Sequence, residues 1–100
     1  VANILKFLIL CLVLLSCSKA PCIIKVPVTF TCENPKDLKS INVNFYQGDR
    51  PVMADIIHGY DFTNGKFSLT YYFSDTNPDR LVWIVYDQGW NPKVFETAIR

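Results

Sequence analysis

His58 is the only histidine of the chain, and Cys11, Cys17, Cys22 and Cys32 are its only thiols. Nucleophilic catalysis needs a nucleophile, a base and usually a group that orients the base. Cys32 with His58 is the dyad that can be drawn, and no local signature surrounds either residue. His58 stands beside Gly59 in an alternating strand pattern, where a single exposed or hydrogen-bonded imidazole is ordinary. Asp75-Thr-Asn77-Pro-Asp79 has the spacing that opens an oxygen-rich calcium loop. Pro78 stiffens that segment, Arg80 stands where the pattern has glycine, and no glutamate follows at the twelfth position, so the residues read as a turn. The acidic residues are scattered through loops and strand ends instead of facing one another for acid–base work. There is no glycine-rich phosphate loop, no zinc spacing and no Asn-x-Ser/Thr sequon. No catalytic residue, cofactor or metal is expected.

Aromatic side chains supply the remaining signal for binding. Most belong to the expected core, because a small sandwich fills its interior with such residues. Tyr72 differs: the alternation of Phe67, Leu69, Tyr71 and Phe73 puts it on the opposite face with Ser68 and Thr70. Trp90 lies in a Gly-Trp-Asn-Pro turn, where exposure is expected. Exposed Tyr and Trp are typical anchors of protein interfaces, which makes Tyr72 and Trp90 the candidate interface residues.

The first twenty residues have a different character. Lys6 precedes an apolar run from Phe7 to Leu15, and small residues follow at Ser16, Ser18 and Ala20. This is the order of a secretory signal peptide, with cleavage after Ser18 or Ala20, and the run is short for a membrane span. Leu14-Leu15-Ser16-Cys17 also matches the lipobox pattern in four common residue types. Residues 21–100 then form one domain with eight Lys or Arg against nine Asp or Glu, a net charge of −1. No basic stripe attracts nucleic acid, and no second run is long enough to cross a membrane. Cys22 and Cys32 remain in an oxidising compartment. One extended strand would hold them roughly 33 Å apart, against about 4.4–6.8 Å between the Cα atoms of a disulfide, so they pair only if the chain doubles back. A bridge to another chain and a free thiol stay open.

The elements that position these residues read as strands. Val26 to Cys32 alternates Val26, Val28, Phe30 and Cys32 on one face, with Pro27 placing its start at an edge or outside a ladder. Ile41 to Tyr46 turns Ile41, Val43 and Phe45 inward. Val52 to Ile57 is a short strand or one helical turn. His58, Tyr60 and Phe62 alternate into Asn64-Gly65, and Phe67 to Phe73 alternates out of it, predicting a type I′ hairpin. Leu81 to Tyr86 is apolar throughout, which predicts a central strand covered on both faces. Lys93 to Ile99 reads as a last strand. The sum is an all-β antiparallel sandwich of about seven strands.

These segments resemble the nematode transthyretin-like family of small secreted proteins. The resemblance rests on Val28-Thr-Phe-Thr-Cys32, Val43-Asn-Phe-Tyr46, Asp61-Phe-Thr-Asn-Gly65-Lys-Phe67-Ser-Leu69 and Tyr86-Asp87, and covers residues 28 to about 87. Asp61 lies one residue further from Gly65 than the family's hairpin pattern has it. Gln88 follows Asp87 where the family carries a later cysteine, so Cys32 lacks that partner. The resemblance implies a transthyretin (prealbumin)-like sandwich and an extracellular role. The histidines and Tyr-Arg-Gly-Ser of the hydroxyisourate hydrolases are absent, so that activity is not implied. The function expected is a secreted, non-enzymatic binding or signalling module for an extracellular protein or cell surface. The alternative is a carrier of a small apolar ligand in an intersubunit channel.

Overall fold

Eight strands in two antiparallel sheets make up the computed structural model, which describes residues 7–11, 14–16 and 23–99. They are β1 (Phe7–Cys11), β2 (Leu14–Ser16), β3 (Ile23–Cys32), β4 (Leu38–Gln47), β5 (Arg50–His58), β6 (Lys66–Ser74), β7 (Arg80–Asp87) and β8 (Pro92–Ala98). In the first sheet β3 has β6 on one edge and β1 and β2 in turn along the other. The second sheet runs in the order β5-β4-β7-β8. Among the described residues the chain is all-β and sandwich-like.

Alternation builds the core. Val26, Val28 and Phe30 of β3 and Tyr71 and Phe73 of β6 meet Ile41, Val43 and Phe45 of β4, Ile57 of β5 and Leu81, Trp83 and Val85 of β7. Phe45 packs between Tyr71 and Phe73, with ring centroids 4.9 and 5.0 Å away. Trp83 lies between Phe30 and Phe95 at 5.8 and 5.5 Å, its indole N–H buried without a partner. The Tyr71 hydroxyl donates to the Asp55 carboxylate at 2.8 Å, a polar tie from β6 to β5. Burial and then the hydrogen bond and charge of Asp55 hold the Tyr71 hydroxyl well above the usual phenol range.

Three expectations are corrected and one open reading is decided. Pro27 sits inside the ladder, opposite Thr70 of β6. On its other edge, the described residues of β1 pair with Val28 to Cys32 and those of β2 with Ile23 to Lys25. Residues 50–58, undecided from sequence, form a full strand. His58, Tyr60 and Phe62 do not form the first arm of a hairpin, because residues 59–61 make a 3-10 turn that carries the chain from one sheet to the other. A Cβ on Gly59 would lie 2.5 Å from the Leu38 carbonyl oxygen and 2.7 Å from that of Pro35, so only glycine lets the turn pack there. The Asn64-Gly65 turn itself has the positive φ values of type I′, 55° and 78°, and closes with mutual hydrogen bonds between Thr63 and Lys66. Finally, β7 is covered on one face only: Leu81, Trp83 and Val85 are buried, while Val82, Ile84 and Tyr86 remain partly open.

β1 and β2 fall within the segment expected to be a leader; its cleavage points, with Cys17 and Cys22, lie outside the described residues. Between Ile23 and Cys32 the chain runs as one strand, without the reversal that a Cys22–Cys32 bridge needs. Cys32 is buried and free, and burial pushes its thiol up, against a smaller opposing effect of the Asn34 backbone N–H.

Candidate functional site

The two residues singled out as interface anchors are on different sheets. Tyr72 is on β6, outward and 59 % exposed, with the Lys25 ammonium 6.0 Å from its ring centre. Around it are hydroxyl side chains, of which Thr29 and Ser68 share a 2.9 Å hydrogen bond. Trp90, 60 % exposed, belongs to the β7–β8 turn at one end of the second sheet. The structure does not bring the two together.

The Trp90 turn is built around one carboxylate. Asp87 accepts from the Gly89 N–H at 2.8 Å, from the Asn91 N–H at 3.0 Å and from the Asn91 side-chain amide at 3.0 and 3.1 Å. The Trp90 N–H donates to the Asp87 carbonyl at 2.9 Å. The Asn91 bonds, backbone first, hold the Asp87 carboxyl below its ordinary range. Gln88 clamps the turn from outside, its amide donating to the carbonyls of Lys36 and Leu38 at 3.1 and 3.2 Å. Within this frame Trp90 has φ 62°, a left-handed conformation that costs a bulky residue about 1–3 kcal/mol. The exposed indole is therefore held in place against its local preference. Tyr86 meets it edge-on at 5.8 Å, and the Lys39 ammonium lies 5.2 Å from its ring centre.

Beside Trp90 opens a cleft of about 570 Å³. Ser40 and Asn42 of β4 line it, flanked by Ile56 and His58 of β5 and by Tyr86 of β7. These residues follow from the register: Ser40 is opposite His58 and Tyr86, and Asn42 is opposite Ile56 and Ile84. A second cleft of about 370 Å³ shares Lys39 and His58 and extends to Tyr60 and Gln88. His58 stacks on the exposed Tyr60 at 4.9 Å with the rings 2° from parallel, and its Nδ1 lies 3.8 Å from the Asp61 carboxylate. Further along the outward face, Ile84 is opposite Val94 and Val82 is opposite Glu96. Ile56 and Val94 are among the most exposed large apolar residues described.

Sequence reasoning singled out Trp90 as a candidate but not the residues around it. The outward Asn42 and the doubly apolar β7 were visible signals; the contribution of Ser40, Ile56 and the Asp87–Gln88 clamp depended on register and loop geometry. Asp79, first of interest as a cation ligand, ties loops instead: its carboxylate accepts the Gly48 N–H at 2.9 Å. No group of three or more metal-ligating side chains occurs among the described residues, and no helix there is long and apolar enough to cross a membrane. No family model, curated protein or solved structure matches the chain.

Proposed function

We propose that this chain is a secreted, non-enzymatic binding module of the transthyretin-like type, which engages an extracellular protein or cell surface through the outward face of β4, β5, β7 and β8. The observation that carries this reading is the apolar content of that face. Ile84 is directly opposite Val94, Val82 lies two residues along β7, Ile56 stands on the far side of Asn42, and Trp90 is held exposed at one end. An apolar face of this kind, left open by its own fold, marks an interaction surface. The family part of the proposal rests on the motif segments, which fall on the end of β3, on β4, on the Asn64-Gly65 turn and on β7. Secretion rests on the character of residues 1–20. Cleavage after Ser18 or Ala20 would take β1 and β2 away and leave one edge of β3 unpaired, which is a further place for a partner strand.

Saturation binding of the labelled secreted chain to cells tests the reading. Wild type is expected to bind saturably, Trp90→Ala to lose at least tenfold in affinity, and Tyr72→Ala to stay within twofold. Binding that fails to saturate, or that survives Trp90→Ala unchanged, removes the face from consideration.

A further inference from the structure

We propose that the Trp90 cleft is a carbohydrate-binding site that takes a pyranose unit of a surface glycan. The inference rests on the binding face argued above and names the chemistry of its partner. Its first support is the pairing state of the polar groups. The Ser40 hydroxyl and the Asn42 amide line the cleft, and no hydrogen bond joins either to another described residue. Ser40 is only 6 % exposed, so its hydroxyl is largely withdrawn from bulk solvent. A purely apolar ligand would cover these groups and leave them unpaired, which is unfavourable. Asn42 offers an acceptor and two donors, and Ser40 offers both roles, which is the complement of adjacent ring hydroxyls.

The second support is the wall. Trp90 and Tyr86 present aromatic surface beside those polar groups, with Ile56 on the opposite side. A pyranose has a face of C–H bonds that packs on the electron-rich face of an indole, while its hydroxyls point to its rim. An amphipathic ligand of this shape satisfies wall and floor together. No carboxylate lines the cleft, and Lys39 stands over the indole, so neutral and acidic sugars are both accommodated. The volume, about 570 Å³, is within the usual range of ligand sites.

The test is a titration of the secreted chain with chitotetraose, tetragalacturonate and the apolar probe anilinonaphthalene sulfonate, followed by tryptophan emission. Trp83 is buried, so changes report chiefly on Trp90. Saturation by either sugar is expected, weakened about tenfold by Asn42→Ala and by Trp90→Ala, with far-ultraviolet circular dichroism unchanged. Asn42→Asp is the second variant should either of these fail to fold. Saturation by the apolar probe alone, or by none of the three, overturns the carbohydrate assignment. If Trp90-dependent cell binding persists while the sugars fail, only this assignment falls; if both fail, the reading of the face falls with it.

Discussion

The two outward faces of the sandwich are built from the same alternation and end in different surfaces. On β3 and β6 the outward positions include Lys25, Thr29, Ser68, Thr70 and Tyr72, and the Thr29 and Ser68 hydroxyls share a hydrogen bond. On the second sheet the outward positions are Ile56, Val82, Ile84, Tyr86 and Val94, broken by Asn42 and Asn44. Tyr72 and Trp90 are almost equally exposed, so exposure does not separate them. Their settings do. Tyr72 is an ordinary strand residue beside a lysine stem, whereas Trp90 is held in a left-handed turn by a carboxylate with four contacts. An aromatic residue is a stronger candidate anchor where the backbone is constrained to present it and apolar neighbours continue the surface.

The largest effect should come from breaking that asymmetry directly. Trp90→Ala is expected to cost about 2 kcal/mol or more of binding free energy, as at other interface hot spots. Tyr72→Ala should cost a few tenths at most. Calorimetry on both variants with the same partner preparation checks this, and equal losses would falsify the contrast between the faces.

Next in size is the bond that joins the sheets beneath both faces. Tyr71→Phe removes a hydrogen bond to a carboxylate that stays partly buried, and should lower unfolding free energy by about 1–3 kcal/mol. It should leave the difference between Trp90 and Tyr72 in binding untouched, because it touches neither surface. The pH dependence has a definite sign. A phenol held above its unfolded value binds its proton more tightly in the fold, so its contribution is complete below about pH 10 and declines as the pH rises beyond that. Urea melts between pH 7 and 11 would show the decline in wild type and a flatter profile in Tyr71→Phe.

Much of this architecture was legible in residue order, and the failures have physical causes. Alternation in β3, β4 and β6 named Val26, Val28, Phe30, Ile41, Val43, Phe45, Tyr71 and Phe73 of the core, since a period of two with one apolar face admits one orientation, although Leu69 on the same face is exposed. The Asn64-Gly65 turn was recognised from the positive φ that both residues tolerate. Its first arm was misread because Tyr60 and Phe62 alternate in sequence, while close packing at Gly59 bends the chain out of the strand. The apolar run of β7 reads as burial on both faces, yet Val82, Ile84 and Tyr86 stay partly open. That difference is a matter of what lies over the sheet, which alternation within a strand does not encode. The site suffered most, because Ser40, Ile56, Tyr86 and Trp90 come from four separate segments and meet through cross-strand register.

A smaller effect is expected at the turn. The folded-state pKa of Asp87 is lowered, so its contribution is present above the unfolded carboxylate value and is lost as the pH falls through the folded one. Trp90 emission should therefore be constant near neutrality and change below about pH 4. Asp87→Asn keeps an acceptor but loses the charge; it should weaken binding a few-fold and flatten that acid transition.

The smallest effect tests the polar face. Ser68→Ala removes the hydroxyl that meets Thr29 across the β3–β6 ladder. Cross-strand pairs of this kind contribute about 0.2–1 kcal/mol, and this one is exposed, so water replaces the lost partner at little cost. A shift at the low end of that range in a urea midpoint, with binding unchanged, fits a face whose polar groups serve only the strand pair. Binding lost on Ser68→Ala would mean that the Tyr72 side is recognised after all, and the contrast drawn from Trp90 would then describe two contact surfaces on one partner.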